Sequence, residues 1–326
     1  MDYQLLIGDC LDTLKTLPEQ SAYTCVTSPP YFGLRDYGHE GQMGAEPTPD
    51  EFVAALVEVF REVRRVLRDD GTVWLNLGDS YNAYNGNRGA SSGGANKNSH
   101  RVMPQLPKGS GLTTPDLKLK DLIGIPWRAA FALQADGWYL RQDIIWHKPN
   151  PMPENVRDRC TKAHEYIFLL SKSPKYYYDQ GAVKEPEVCG RQRGPAEHPD
   201  AKSTNGNSGL GRRKSTGMRN RRSVWTVTTR PYKGAHFAAF PPDLIQPCIL
   251  AGCPEGGTVL DPFGGSGTTA GVALAHGRNA VLCELSPEYA ALVPERIDWI
   301  TDYYKVPRVA HPTVPVEEEL ERDPLI

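Results

Sequence analysis

Short apolar runs alternate with turn residues along the first quarter of the chain. Runs at 3–7 and 23–27 stop at Gly-Asp and at Ser-Pro-Pro, and a third run at 72–77 follows Asp-Asp-Gly. Each run has the length of a buried strand, and two adjacent prolines cannot continue a central strand. The pattern therefore predicts three strands, with a sharp turn after the second.

A helix is predicted between the second and third strands. Thr48 suits the N-cap, Pro49 suits the first helical position, and Glu51 completes a capping box. The apolar face repeats at helical spacing and comprises Phe52, Leu56, Val59, Val63 and Val66. Asp-Asp-Gly at 69–71 is expected to end this helix. The resulting β-α-β order predicts an α/β sheet that is covered by helices.

The same alternation returns further along the chain. The predicted elements are a helix at 126–135, strands at 138–146 and 164–170, a strand at 258–261, a helix at 267–276, a strand at 280–285 and a last helix that opens at Ser286 and Pro287. Pro247 and Pro294 lie inside apparent helices, so kinks or breaks are expected there.

Two segments interrupt this pattern. Half of the residues at 82–111 are Gly, Ser or Asn, which predicts a long loop or disordered insertion. Residues 184–233 contain twelve Lys or Arg and four Asp or Glu, although the whole chain has a net charge of −2. This basic segment is either a solvated loop or a surface for a polyanion such as nucleic acid. The acidic run at 317–321 is expected to be solvated.

Composition excludes several classes of protein. The chain has 326 residues, 39 % of them apolar and 23 % charged, which excludes a wholly disordered chain. The seven cysteines form no C-x-x-C pair, so neither a disulfide scaffold nor a zinc ribbon is expected. No apolar run approaches the ~18 residues of a membrane span, and the first residues lack a secretory signal. We expect a cytoplasmic protein.

A glycine-rich turn at 260–269 follows a predicted strand and precedes a helix. Glycines allow backbone to approach a ligand closely, and exposed N–H groups at the helix start favour a carboxylate. The turn lacks the lysine of a phosphate loop and the spacing of a dinucleotide fingerprint. Glu284 ends the next strand, where its carboxylate can accept hydrogen bonds from ribose hydroxyls. A glycine-rich turn alone is usually structural, whereas this ensemble is more specific.

A second turn, Ser-Pro-Pro-Tyr at 28–31, also follows a strand. The prolines fix the backbone, so Ser28 Oγ and a backbone carbonyl are presented as acceptors beside the flat face of Tyr31. This arrangement suits the exocyclic amine of a nucleobase turned out of its helix. The alternative is a tight turn with a core tyrosine.

Together the two turns resemble the DNA amino-methyltransferases, which transfer a methyl group from S-adenosylmethionine to N4 of cytosine or N6 of adenine. The order of catalytic turn, basic segment and cofactor turn resembles the beta group, a circular rearrangement of the usual sheet. The resemblance runs from Leu5 to about Ile300. It implies a doubly wound, mostly parallel, Rossmann-like sheet with an inserted target-recognition region.

The resemblance also implies a domain organisation. Residues 1–170 form the catalytic half with its insertion at 82–111, and residues 171–234 form the target-recognition region. Residues 235–305 form the cofactor-binding half, and residues 306–326 are an acidic tail.

Site residues follow from the same match. The catalytic turn comprises Ser28, Pro29, Pro30 and Tyr31. The implied cofactor-binding residues are Asp9, Phe237, Asp261, Phe263, Gly265, Ser266, Gly267, Thr268 and Glu284. The implied DNA-binding residues are Lys148, Arg212, Arg213, Arg221 and Arg222. No metal is expected.

The implied reaction is direct transfer to an amine of a flipped base in double-stranded DNA. Methylation at C5 of cytosine would need a Pro-Cys nucleophile in the catalytic turn, and Pro247-Cys248 lies in a helix-like stretch instead. Adenine-specific relatives usually carry Asp or Asn where this chain has Ser28. N4 of cytosine is therefore favoured, with N6 of adenine as the alternative.

Other classes are more remote. They are an RNA amino-methyltransferase, a catalytically dead DNA-binding protein and a nucleotide hydrolase. A cognate restriction endonuclease as partner, and the choice between monomer and homodimer, stay open.

Overall fold

A computed structural model describes residues 1–34, 41–82, 117–187, 217–229 and 240–308, and His311. The strands are β1 (Tyr3–Ile7), β2 (Ala22–Thr27), β3 (Leu67–Leu77), β4 (Tyr139–His147), β5 (His164–Ser171), β6 (Glu185–Pro186), β7 (Met218–Arg219), β8 (Val224–Thr226), β9 (Thr258–Asp261) and β10 (Asn279–Glu284). The helices are α1 (Cys10–Lys15), α2 (Pro49–Val66), α3 (Ile125–Ala135), α4 (Pro242–Gly252), α5 (Thr268–Ala275), α6 (Pro287–Ala290) and α7 (Val293–Tyr304).

Eight strands form one sheet in the order β1-β10-β9-β2-β3-β5-β4-β8. Strand β5 runs antiparallel to both of its neighbours, and the other pairings in this sheet are parallel. Helices α1, α2 and α3 cover one face with an apolar core, and α4, α5 and α7 cover the other. The doubly wound, mostly parallel α/β sheet predicted from the sequence is confirmed.

The predicted start of α2 is confirmed, but its predicted end is wrong. Thr48 Oγ1 accepts a hydrogen bond from the Glu51 N–H at 3.2 Å. The helix ends at Val66, and β3 begins at the next residue instead of at Thr72. Residues 68–71 loop out between the strand pairs Ala22–Leu67 and Thr24–Thr72. The Asp-Asp-Gly sequence therefore forms a bulge within the strand pairing.

Proline has different effects at the two positions where kinks or breaks were predicted. The last helical segment is broken into α6 and α7, and Pro294 lies in the first turn of α7. Helix α4, in contrast, continues through Pro247. Within the residues that the structure describes, no helix has the length and apolar character needed to cross a bilayer.

Part of the predicted target-recognition region joins the main sheet. Strand β8 pairs with β4 at one edge, and β6 and β7 form a separate two-stranded sheet. Most of the 82–111 segment and the acidic run at 317–321 lie outside the described residues.

Candidate active site

The two turns predicted from the sequence line the same cavity. Strands β2 and β9 are adjacent and parallel, so the turns that follow their carboxyl ends lie side by side. The cavity has a volume of about 1040 Å³. Its lining includes the predicted site residues Asp9, Ser28, Pro29, Pro30, Tyr31, Lys148, Asp261, Phe263, Gly265, Ser266, Thr268 and Glu284.

Asp261 connects the two turns. Its buried carboxylate accepts hydrogen bonds from Thr27 Oγ1 at 2.6 Å, from Thr269 Oγ1 at 2.6 Å and from the Phe263 N–H at 3.0 Å. Burial raises the pKa of Asp261 to about 6, and the two hydroxyl donors oppose that rise. Although Asp261 lines the cavity, both carboxylate oxygens are engaged by protein donors. These hydrogen bonds hold the two turns together.

Glu284 lies beside the glycine-rich turn at one end of the cavity, where two backbone amides orient its side chain. Glu284 Oε2 accepts from the Gly265 N–H at 2.7 Å, and Oε1 accepts from the Ser286 N–H at 2.9 Å. Asp9 lies nearby because β1 pairs with β10, and its carboxylate caps α1 by accepting from the Leu11 N–H at 2.8 Å. Thus two carboxylates are held in fixed positions at the carboxyl ends of neighbouring strands.

The glycine-rich turn is packed tightly between β10 and α7. A Cβ at Gly264 would lie 2.9 Å from Leu282 Cβ, and a Cβ at Gly267 would lie 2.8 Å from Val293 Cγ1. Gly267 also has a φ of +88°, which L side chains rarely adopt. Ser266 Oγ is buried on the cavity lining and has no hydrogen-bond partner among the described residues. This hydroxyl is available to a ligand.

Tyr31 lies at the opposite end of the cavity, with its ring against the end of β3. A Cβ at Gly78 would be 2.4 Å from Tyr31 Cε2, so only glycine leaves room for the ring. The Tyr31 hydroxyl donates to Glu165 Oε2 at 2.7 Å. Glu165 also forms an ion pair with Lys148, whose Nζ lies 4.2 Å from the centroid of the Trp146 ring. The tyrosine is therefore fixed by packing and by a charged partner.

Sequence reasoning did not identify Asn76 or the role of Glu165 in this network. Buried Asn76 donates through Nδ2 to the Tyr166 carbonyl at 3.0 Å and to Glu165 Oε2 at 3.3 Å. The available signal was a single asparagine within the apolar run that forms β3. A polar side chain at such a position needs a partner, because an unpaired buried amide is costly.

The predicted DNA-binding residues lie in different settings. Arg212, Arg213 and the predicted cofactor residue Phe237 lie outside the described residues, although Phe240 from the same segment as Phe237 lines the cavity. Lys148 lines the cavity. Arg222 pairs with Glu185 at 2.6 Å, and the Arg221 guanidinium lies 4.7 Å from the centroid of the Trp225 ring. The structure does not bring Arg221 or Arg222 into the cavity.

Residues 23–295 match the model of a protein family, N6_N4_Mtase, described as DNA methylase. The chain belongs to the DNA methylase family. Among curated relatives of this DNA methylase, the Type II methyltransferase M.XycI of Xanthomonas campestris pv. cyanopsidis is 49 % identical over 293 residues, which cover 90 % of this chain and 87 % of the relative. M.SmaI of Serratia marcescens, also a Type II methyltransferase, is 48 % identical over 300 residues and 90 % of each chain.

Solved structures share the fold of this DNA methylase. The cytosine-N4-specific PvuII DNA methyltransferase aligns with a TM-score of 0.61 at 19 % identity, covering 94 % of this chain and 92 % of the other. The M1.HpyAVI–SAM complex aligns with a TM-score of 0.51 at 16 % identity, covering 90 % and 99 %. No cluster of His, Cys, Asp or Glu that could hold a metal ion occurs in the described part of the chain.

Proposed function

We propose that this DNA methylase transfers a methyl group from S-adenosylmethionine to N4 of cytosine in double-stranded DNA. The observation that carries the proposal is the single cavity that the Ser-Pro-Pro-Tyr turn and the glycine-rich turn both line. A flipped base at one turn and a cofactor at the other would meet within it. Holding two reactants in one site in this way accounts for much of an enzymatic rate increase.

The cofactor end of the cavity suits S-adenosylmethionine, which supplies a methyl group on a sulfonium centre. Ser266 Oγ is buried, has no partner in the described part of the chain and can bond the cofactor's carboxylate, beside the backbone N–H groups of the turn. The Glu284 carboxylate is oriented by two amides, and its oxygens are acceptors of the kind that ribose hydroxyls need. Asp9, Phe263, Gly265, Gly267 and Thr268 complete this end of the site.

The catalytic turn prepares the amine. An exocyclic amine is a poor nucleophile because its lone pair is delocalised into the ring. Ser28 Oγ and the Pro29 carbonyl would accept the amine hydrogens and aim the lone pair at the methyl group, while Pro30 keeps the turn rigid. Tyr31, fixed by Glu165 and Gly78, would stack on the base.

Two observations favour cytosine over adenine. Ser28 offers a neutral acceptor in place of a carboxylate, and Lys148 retains two ammonium donors beyond its pair with Glu165. On its Watson–Crick edge cytosine presents N3 next to the amine and O2 beyond it, whereas adenine presents N1 on that edge and N7 on the other side of its amine. A lysine donor that reaches the Watson–Crick edge would therefore suit cytosine better. Adenine N6 is the second candidate.

Mass spectrometry of nucleosides from DNA methylated in vitro tests the proposal. The expected product is N4-methylcytosine, made from duplex DNA and not from RNA, and Ser28→Ala is expected to lose turnover more than DNA affinity. N6-methyladenine without N4-methylcytosine would contradict the choice of base. Methylation of neither base would contradict the proposed function itself.

The cellular setting follows from the Type II relatives. We propose that the protein acts in the cytoplasm of a bacterium, or of a bacterial host for a phage, to protect DNA from a cognate restriction endonuclease. The six cysteines among the described residues are free thiols, as a reducing compartment requires. Residues 171–234 are proposed to contribute target recognition.

A further inference from the structure

An exposed apolar side chain lies at the rim of the cavity. Met152 is 59 % exposed and belongs to the cavity lining. It lies between Pro151 and Pro153, in the segment that connects β4 to β5. Single exposed apolar residues are common on protein surfaces, so exposure alone carries no meaning. Met152 differs from most such residues because its exposed side chain also lines the cavity that a flipped base would enter.

The segment around Met152 is held on both sides. Before it, the Asn150 amide accepts from the Thr229 N–H at 3.0 Å and donates to the Thr229 carbonyl at 3.2 Å. After it, Glu154 Oε2 accepts from Arg159 at 2.6 Å and from the Lys162 N–H at 3.1 Å.

A further contact holds Arg159, the partner of Glu154. The Arg159 guanidinium lies 4.0 Å from the centroid of the Tyr81 ring. The two prolines also restrict the backbone next to Met152. The methionine is therefore presented outward on an anchored support, with little further ordering required on binding.

Turning a base out of a duplex leaves a gap in the stack, and the lost stacking and pairing cost a few kcal/mol. Apolar side chains, methionine among them, insert between base steps in other DNA-binding proteins. The thioether is polarizable and adapts its shape to a gap. We propose that Met152 enters the base stack at the place that the target base vacates. The proposal rests on the proposed base-flipping function.

Leu34 is the competing candidate, since it is 52 % exposed and also lines the cavity. It follows Gly33, a residue that leaves the backbone flexible, and the Tyr31 carbonyl accepts from the Leu34 N–H at 3.3 Å. Met152 instead lies between two prolines, which restrict the backbone on both sides. This difference favours Met152.

The experiment uses the full chain and duplexes that carry its recognition sequence, mapped by modification sequencing of DNA from cells that express it. One duplex is fully paired, and in the other an abasic residue lies opposite the target base, so that flipping is already easy. Single-turnover methylation is measured with wild type, Met152→Ala, Met152→Leu and Leu34→Ala. Phe131→Ala is the matched control, because Phe131 is 55 % exposed on α3 outside the cavity lining.

Met152→Ala is expected to slow methylation of the paired duplex about tenfold or more and to leave the abasic duplex within about twofold of wild type. Met152→Leu is expected to retain most of the rate, and Phe131→Ala to match wild type on both duplexes, whereas Leu34→Ala is expected to change the rates on the two duplexes by the same factor. An equal loss on both duplexes with Met152→Ala, no loss with that variant, or the same pattern with Leu34→Ala instead would overturn the proposal. Failure of the wild-type enzyme to methylate either duplex would instead contradict the proposed function.

Discussion

Glu165 connects the side chains that form one end of the cavity. Its carboxylate accepts from the Tyr31 hydroxyl and from Asn76 Nδ2, and it neutralises Lys148. A buried pair of this kind contributes little net stability, but removing one charge leaves the other uncompensated. Its role here is to hold the orientation of the tyrosine and the lysine.

We predict that Glu165→Gln lowers the single-turnover rate by about tenfold to a hundredfold, because hydrogen bonds to a charged group contribute about 1.5–3 kcal/mol. Cofactor affinity, measured by calorimetry, should be unchanged. Glu185→Gln is the matched control, since Glu185 also pairs with basic residues, Arg219 and Arg222, but outside the cavity. An equal loss of rate in both variants would contradict the assignment.

Asp261 gives a prediction about pH. Its pKa is about 6 in the folded protein, against about 4 in an unfolded chain. Between pH 4 and 6 the folded protein holds a proton that the unfolded chain has released. The contribution of Asp261 to stability is therefore full below pH 4 and is lost as the pH rises through 6. Asp261→Asn does not titrate, so its stability relative to wild type should rise by up to about 3 kcal/mol from pH 4 to 7.

Urea unfolding at fixed pH values measures this difference. In Asp261→Asn, the asparagine amide can donate a hydrogen bond to Thr269 Oγ1. The Thr269 hydroxyl can then donate to the Val26 carbonyl oxygen, which lies 3.4 Å from Thr269 Oγ1. Asp302→Asn is the comparison variant, because Arg308 lowers the pKa of Asp302 and the pH trend should have the opposite sign. A relative stability of Asp261→Asn that does not change with pH would rule out the raised pKa.

At the scale of elements, the glycine-rich turn follows β9 and packs against both β10 and α7. Gly267 combines a positive φ with contact against Val293, whereas Gly256 has a φ of +76° and a Cβ added there would meet nothing within 4 Å. An alanine would introduce backbone strain at both positions, but a steric collision only at Gly267.

We predict that Gly256→Ala is mildly destabilising, since it introduces backbone strain alone, and that Gly267→Ala is more destabilising because α7 must also shift. Only Gly267→Ala should weaken binding of S-adenosylmethionine. Thermal unfolding and calorimetry on both variants make the comparison. Equal effects on stability and on binding would show that the contact with α7 does not support the turn.

Local signals predicted the elements that carry the two turns, because caps and turn residues act over a few positions. Thr48 and Ser286 lie at the N-caps of α2 and α6, where the sequence placed them. The bulge at 68–71 was missed because pairing with β2 creates it. Likewise, the three residues of β8 form a strand only because β4 offers an open edge.

The residues of the site were likewise predictable only where the sequence signal is local. Each turn follows its own strand and has its own sequence signal, so Ser28 and Glu284 could be proposed from the sequence. The contacts among Tyr31, Asn76 and Glu165 join β2, β3 and β5, and only the folded sheet brings these strands together. No local pattern contains that information.

Charge is the property of the whole molecule that bears most on DNA. The basic residues concentrate at 184–233, while the chain as a whole has a net charge of −2. Within the described part of that segment, Arg221 lies over Trp225 and Arg222 pairs with Glu185. Arginines in such contacts stabilise the fold, whether or not they also contact a ligand. The segment therefore combines structural arginines with arginines that are candidates for phosphate contacts.

We predict that replacing Arg212 and Arg213 with glutamine flattens the dependence of DNA affinity on salt, by up to ~0.9 in log–log slope for each phosphate that is no longer neutralised. Arg221→Ala should instead lower thermal stability, because it uncovers Trp225. The control is Arg308→Gln, since Arg308 lies beyond the end of α7 and pairs with Asp302 of that helix. Binding measured across a salt series gives the slopes. An unchanged slope for the double variant would mean that these arginines do not contact DNA.

The hydrogen bond from Thr27 to Asp261 joins residues 234 positions apart. A ribosome adding 5–20 residues per second makes the second partner roughly ten to fifty seconds after the first. Throughout that interval the nascent chain has its Ser-Pro-Pro-Tyr turn but no glycine-rich turn beside it. Strand β1 is likewise synthesised long before β10, the strand with which it pairs. Synthesis itself thus delays activity, and prematurely released chains that lack β9 and β10 would carry half a site and modify nothing.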